Sequence, residues 1–366
     1  LVVVVCPTCA MVQLAHPVPQ ARLFPAEYAF HSSTSAHMAA HFEAFAASVL
    51  RGLAGTRDPL VVEIGSNDGI FLRHIAAAGV RHVGVEPAAN VANVARAHGV
   101  ETVSRFFDAA LAEELLGTHG PADVIVGANV LCHIPALHAV AEGMSRLLKP
   151  DGILVFEDPY LGDILDQVAF DQMYDEHVYY FSLTALQHLF AQHELEVVDA
   201  TPQGVHGGSM RYVVARSGHR QPTPAVRELA VRETHLGLRN TETYDRFRRA
   251  VAGKKVALMS LLASARAEGK RIVGYAATSK STTAIVYCGI TRDQIEYICD
   301  TTPGKQGRLS PGAHIPIRPH AEFASDTPDY ALLFAWNHRA EVLAKEQAFV
   351  QRGGRFITYV PEVEFI

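Results

Sequence analysis

The chain has 366 residues, which at about 150 residues per domain allows two or three domains. Hydrophobic residues are 49% and charged residues 19%, so large cores can form and wholesale disorder is excluded. A net charge of -6 (38 acids, 32 bases) argues against a nucleic-acid partner held by bulk electrostatics, and no run approaches the roughly 20 apolar residues of a membrane span. The opening run Leu1–Val5 reads as a strand; it has no basic flank, is too short for a signal peptide, and makes the cytoplasm the expected setting. The start at Leu1 instead of Met leads us to expect that an upstream segment has been lost. A helix is expected from Phe42 to Leu53, with Phe42, Phe45, Ala46, Leu50 and Leu53 on one face. Strands are then expected at Leu60–Ile64, His82–Glu86, Asp123–Ala128 and Gly152–Glu157, with helices at Asp68–Ala78 and Ala136–Leu148. This alternation predicts a parallel, doubly wound α/β sheet. Pro222 to Glu268 reads as a charged helical connector. A second α/β pattern follows, with strands at Arg271–Tyr275, Ile295–Asp300, Tyr330–Phe334 and Arg355–Tyr359.

Five cysteines, an odd number on a long chain, do not make a disulfide framework. Cys6 and Cys9 form a CxxC behind the first strand. Structural zinc needs four ligands in a tetrahedron, so this pair reads either as half of a four-cysteine site or as a buried or redox pair.

The most specific local motif is Val62-Glu63-Ile64-Gly65-Ser66-Asn67-Asp68-Gly69. An apolar strand ends in an acid, and a tight glycine turn opens the next helix, the switch-point geometry for a nucleotide-like ligand. It lacks the GxGxxG spacing of a pyrophosphate cradle. It looks like the first motif of class I methyltransferases, which bind S-adenosylmethionine. That resemblance implies that Gly65 and Gly69 let the backbone approach the cofactor, that Asn67 is among the cofactor-binding residues, and that Glu63 and Asp68 hold its methionine end, directly or through water. It also implies that Glu86, about twenty residues on, takes the ribose hydroxyls. Phe107 and Asp108 fall where the adenine is expected, as a stacking ring and an acceptor for its amine, and Asn129 lines the pocket from the third strand.

Three clusters concentrate titratable and aromatic groups: Tyr28–Ser33, Asn129–Pro135 around His133, and Tyr174–Ser182 followed by His206–Arg211. A His beside a Glu, as in Glu176-His177, suits a general base, although neighbouring side chains point apart. With 19 histidines, a lone one is ordinarily a satisfied core or surface residue; the company of these shifts the reading.

Taken in order, these motifs resemble the sugar C-methyltransferases that act on TDP-linked keto-deoxysugars for antibiotic side chains. The resemblance covers the whole chain and includes Gly274–Lys280, Asp300–Lys305 and Pro311–Pro316. It is nearest to C-3'-methyltransferases of TDP-3-amino-4-keto-2,3,6-trideoxyhexoses, as in tetronitrose and kijanose pathways. It implies a remnant of an N-terminal zinc domain at 1–24, a class I S-adenosylmethionine domain at 25–215, and a connector with a C-terminal Rossmann-like α/β domain at 216–366. Zinc in such enzymes is held by two CxxC pairs, of which Cys6 and Cys9 match the second. The implied catalytic set is Tyr28, His133, Tyr174, Glu176 and His177, with His206 and Lys280 toward the substrate.

The implied chemistry begins with removal of the acidic C-3 proton next to the C-4 ketone, by His177 or His133. Tyr174 or His133 would stabilise the enolate. The carbanion then attacks the sulfonium methyl, and Glu176 orients the base or binds the amine. A cleft between two α/β domains would exclude water. Expected partners are the sugar nucleotide alone, without nucleic acid or membrane, acting on a monomer. The alternatives are a C-3 methyltransferase of a non-amino 4-keto-2,6-dideoxysugar (mycarose type), a non-catalytic nucleotide binder, and an O- or N-methyltransferase.

Overall fold

The computed structural model describes residues 1–28 and 30–366. The chain forms two compact units. One comprises Val2–Leu161 and Asp175–Arg239; the other comprises Gly162–Tyr174 and Asn240–Ile366, together with Leu1.

The first unit is built on seven strands: β3 (Leu60–Ile64), β4 (Arg81–Val85), β5 (Thr102–Val103), β6 (Ala122–Ala128), β7 (Leu148–Pro159), β9 (Leu195–Gln203) and β10 (Ser209–Arg216). Their order is β5-β4-β3-β6-β7-β10-β9. Side chains alternate along each strand, so each strand feeds two cores. Leu60, Val62, Ile64, Ile125, Leu154 and Phe156 enter a core shared with the helices Ala109–His119, Leu137–Leu147 and Leu183–Ala191. Val61, Val124, Val126 and Val155 enter the opposite core, with Phe42, Phe45, Ala46, Val49 and Leu53 of the first long helix region. Burial on both faces explains why β3 reads as a continuous apolar run broken only by Glu63.

The four strands expected in this unit are present and parallel, but the sheet is not all parallel. The hairpin β9–β10 adds two strands, and β10 runs antiparallel to β7, with Arg211 opposite Glu157 and Met210 opposite Asp158. The alternation along 195–216 carries this hairpin, whose turn is His206 and Gly207–Gly208, all at positive φ. The helix expected from Asp68 starts at Leu72, because Asp68 and Gly69 belong to the preceding turn.

A small three-stranded sheet precedes these elements. β1 (Val3–Val5) pairs antiparallel with β2 (Val12–Leu14), and β2 pairs with β8 (Tyr179–Tyr180). Met11 is buried in the first core, and Cys6 and Cys9 pack against it. The helical connector is two helices, Pro224–Leu236 and Thr241–Ala267, broken at Gly237 in the left-handed region. The first belongs to the core of this unit through Val226 and Leu229. Its Glu233 accepts from Leu183 N (2.7 Å), Thr184 N (2.8 Å) and Thr184 Oγ1 (2.7 Å), capping the helix Leu183–Ala191.

The second unit holds six strands in the order β13-β12-β11-β14-β15-β16. They are β11 (Ile272–Tyr275), β12 (Ile298–Asp300), β13 (Ile317–Pro319), β14 (Tyr330–Leu333), β15 (Arg355–Thr358) and β16 (Glu364–Phe365). All but β16 are parallel, and their residues again alternate between two cores. Among the described residues no helix is long and apolar enough to cross a membrane.

Candidate active site

The carboxyl ends of β3, β4, β6 and β7 form one edge of the first sheet. Glu63 is buried there; burial, with the charges of Glu86 and Asp68, pushes its carboxyl well above the usual range. Its Oε2 has no hydrogen-bond partner. Gly65 follows at φ 69°, and a Cβ there would lie 2.5 Å from Val130 Cγ2, so only glycine fits. Gly69, at φ 78°, would bring a Cβ to 3.0 Å from Val100. Glu86 closes the loop. Its Oε2 accepts from Asn67 N (3.0 Å) and its Oε1 from Ala88 N (2.8 Å), while burial still raises its carboxyl. Asp68 Oδ2 accepts from Ser33 N (3.0 Å) and Ser33 Oγ (2.6 Å), and Asp68 Oδ1 is buried without a partner.

The segment around Tyr28 is tied to this loop. Ser32 N donates to Asn67 Oδ1 (2.9 Å), and Asn90 brackets the Tyr28 peptide unit through Oδ1 and Nδ2. Burial, then the charges of Glu176 and Glu86, push the Tyr28 hydroxyl up, so it stays protonated. Sequence reasoning singled out the segment Tyr28–Ser33 but neither Asn90 nor the contact of Ser33 with Asp68, because partners 62 and 35 residues away leave no local pattern.

After β6, Asn129 sits at φ 52°, donates its backbone N–H to Glu157 O (2.6 Å), and keeps a buried Oδ1 without a partner. His133 is buried, and its Nδ1 lies 2.8 Å from Glu176 O. A carbonyl only accepts, so Nδ1 carries the proton and Nε2 is left as an acceptor, 3.4 Å from Asn129 Nδ2. Burial lowers this imidazole to about 4, so it is neutral at pH 7. Its ring meets Phe24 edge-on at 5.7 Å and His177 at 5.0 Å. The ligand-capable atoms of Cys132, His133 and His177 lie within 4.8 Å of one another, all buried. Burial and Asp158 raise the Cys132 thiol well above its ordinary value, which favours a protonated, hydrogen-bonding group. Glu157, at the end of β7, pairs with His41 (2.6 Å) and with Arg211, whose guanidinium lies 3.8 Å over Phe45. A shallow cleft at the opposite sheet edge, lined by Leu60, Arg81, His82 and His119, holds none of these groups.

The remaining expected residues divide. Phe107 is buried in the first core, and Asp108 caps the helix Ala109–His119 by accepting Leu111 N at 2.7 Å. One oxygen of the expected adenine acceptor therefore has a structural task. His206 sits in the β9–β10 turn, where Gly208 O accepts from Tyr160 N beside the end of β7. The Tyr174–His177 block is split: Glu176 and His177 belong to the first unit and Tyr174 to the second. Lys280, in the second unit, is buried. Its Nζ donates to Asn337 Oδ1 (3.1 Å) and lies 5.1 Å over the Trp336 ring, and burial lowers its ammonium to about 8.

Cys6 and Cys9 stand at the β1–β2 turn, both as free thiols. Backbone amides of Cys9 and Thr8 lower the Cys6 thiol, whereas burial raises that of Cys9. Among the described residues no third metal-ligating side chain joins them.

Glu63 Oε2, Asp68 Oδ1 and Asn129 Oδ1 are buried acceptors at the edge where α/β sheets bind ligands. An ammonium and hydroxyls are the donors they lack, and S-adenosylmethionine carries both. Comparison with known proteins agrees. Residues 38–200 match the methyltransferase domain family, and residues 204–361 match the C-methyltransferase C-terminal domain family. The chain is 37% identical over 365 residues to the C-methyltransferase NovU of Streptomyces niveus, covering 100% of this chain and 87% of that protein. It is 32% identical over 104 residues to a ubiquinone biosynthesis O-methyltransferase of Colwellia psychrerythraea, covering 28% of this chain and 42% of the relative. Among solved structures, the magnesium protoporphyrin IX methyltransferase of Synechocystis is 15% identical with a TM-score of 0.38, over 54% of this chain and 89% of that one. The full-length likeness and the paired domain families place the chain in the S-adenosylmethionine-dependent C-methyltransferase family.

Proposed function

We propose that the protein methylates C-3' of a TDP-linked 3-amino-4-keto-2,3,6-trideoxyhexose in antibiotic deoxysugar biosynthesis. The observation that carries this reading is the buried pair His133 and His177, 5.0 Å apart between ring centroids, on the unit that holds the cofactor-loop acids. Carbon is a poor nucleophile, so a C-methyltransferase needs a base in a dry site as well as proximity. S-adenosylmethionine supplies the electrophilic methyl when bound. Glu63 and Asp68 would hold its methionine end, and Glu86 its ribose.

His133 has its Nδ1 proton committed to Glu176 O, and in this tautomer it accepts and orients. Burial lowers His133 to about 4, which makes it the weaker base, so the C-3 proton is assigned to His177. Tyr28, kept protonated by burial beside Glu86 and Glu176, donates to the enolate oxygen. Glu176 binds the sugar amine through its carboxylate while its carbonyl holds His133. His206 is assigned to the sugar nucleotide, and Cys6 and Cys9 to one side of a structural zinc.

The test is solvent deuterium exchange at C-3 of this sugar nucleotide, with and without S-adenosylmethionine. Exchange, followed by methylation when the cofactor is added, supports the reading, and His177→Ala should abolish both. Cofactor binding without exchange or methyl transfer sinks the amino-sugar assignment and directs the same assay to the non-amino 4-keto-2,6-dideoxysugar.

A further inference from the structure

A base works only if its nitrogen stays within hydrogen-bond reach of the proton it removes, so the backbone that carries it has to be held still. Two peptide units flank the Cα of His177, and both are bonded to the turn after β6. Glu176 O accepts from His133 Nδ1–H at 2.8 Å, and Val178 N donates to Cys132 O at 2.9 Å. Tyr179 adds a third bond to the same turn, its hydroxyl donating to Pro135 O at 2.8 Å. Burial raises that hydroxyl, which keeps it a donor, and its ring stacks with Phe181 at 6.1 Å.

The N-terminal hairpin backs the other side of this segment. Leu14 N donates to Val178 O at 2.8 Å, and Gln13 and Val12 pair with Tyr179 and Tyr180 of β8. Both peptide groups of Val178 are therefore used, the N–H toward the turn after β6 and the C=O toward β2. The backing strand is itself fixed. Val12 and Leu14 are buried, and Met11 enters the first core. At its start Cys6 N donates to Met11 O (2.8 Å) and Ala10 N to Cys6 O (2.9 Å), so the cysteine turn leads directly into β2.

We propose that Tyr179 and strand β2 are positioning elements for His177, holding Val178 and Tyr179 between the turn after β6 and the N-terminal hairpin so that the base meets the substrate carbon in one orientation. The inference rests on the reading of His177 as the base. Neither element touches the substrate; both act through the backbone next to His177. The hairpin that carries Cys6 and Cys9 thus has a task in the reaction that is separate from metal binding.

The first readout needs no substrate or cofactor. Amide hydrogen exchange should find the peptides spanning 10–16 and 175–182 protected together in the wild type. Tyr179→Phe keeps the ring and removes only the donor, and it should speed exchange across 175–182 about fivefold, the worth of one neutral hydrogen bond. Leu14→Pro removes the N–H that reaches Val178 and should speed exchange in both peptides. The second readout is kinetic. In Tyr179→Phe, kcat for methyl transfer and the wash-out rate of the C-3 proton in deuterium oxide should both fall about fivefold or more. KM for the sugar nucleotide and the affinity for S-adenosylmethionine should stay within about twofold of wild type, a split that a merely structural tyrosine would not produce. Unchanged exchange across 175–182 in Tyr179→Phe overturns the proposal, and so does a lowered Tm with kcat as in the wild type. Wash-out that survives His177→Ala sinks the reading of His177 as the base and the proposal with it. Should the wild-type protein methylate only the non-amino sugar, the substrate reading fails, while the same kinetic split measured on that sugar decides the role of Tyr179. If Leu14→Pro does not fold, Tyr179→Phe decides alone.

Discussion

Asn90 closes on both backbone groups of Tyr28: its Oδ1 accepts from Tyr28 N at 3.0 Å, and its Nδ2 donates to Tyr28 O at 2.8 Å. Its own amide is held by Ala26 O at 3.1 Å. One side chain on the helix after β4 therefore fixes the position of Tyr28 beside Glu86, the acid at the end of that same strand.

Asn90→Ala removes two neutral hydrogen bonds of about 1 kcal/mol each, so methyl transfer should fall roughly tenfold or more. The loss should appear in kcat, with S-adenosylmethionine binding by calorimetry changed much less. An unaltered kcat would separate Asn90 from the placement of Tyr28.

Glu63 gives a pH signature. Its folded carboxyl is raised, so the folded state holds the proton more tightly than the unfolded chain; stability is highest below the ordinary carboxylate range and is lost as pH rises toward the folded value. Glu86 acts in the same direction. Melting scans without ligand should therefore show a decline above about pH 4.5 that is shallower in Glu63→Gln. Added S-adenosylmethionine, whose ammonium favours the charged carboxylate, should raise Tm more at pH 8 than at pH 5 in the wild type, with the difference reduced in Glu63→Gln.

His133 has the opposite sign. Its folded value is lowered to about 4 from 6.5, so the unfolded chain binds the proton first and stability is lost as pH falls through that window. At pH 5 the loss from this one group is about 2 kcal/mol. Urea unfolding at pH 7 and pH 5 should show a smaller difference in His133→Gln than in wild type. Nitrogen NMR should find the proton on Nδ1 at pH 7.

Glu233 is a structural counterpart. It is buried and supplies three acceptor contacts to the start of the helix Leu183–Ala191. Glu233→Ala should cost about 3 kcal/mol in urea unfolding, and Glu233→Gln less, since the amide retains an acceptor oxygen. A loss below about 1 kcal/mol would show that water replaces the cap.

The local pattern of residues was enough for the parallel strands, because β3, β6 and the second half of β7 are apolar runs buried on both faces, and β4 ends in the buried Val83–Val85. It was also enough for the Gly65 turn and for the acids Glu63 and Glu86, since a glycine turn and strand-end carboxylates are short-range signals. Asp108 shows where such signals stop: the same residue suits an adenine acceptor or a helix cap, and only the 2.7 Å bond to Leu111 N reveals the cap. The β9–β10 hairpin, the Asn90 lock on Tyr28, the Ser33 contact to Asp68 and the Glu233 cap join residues far apart in the chain, and loop closure leaves no periodic trace. The states of Glu63 and His133 belong to the tertiary structure as well. Desolvation decides them, and burial is a property of the packed sheet edge, not of the residues that line it.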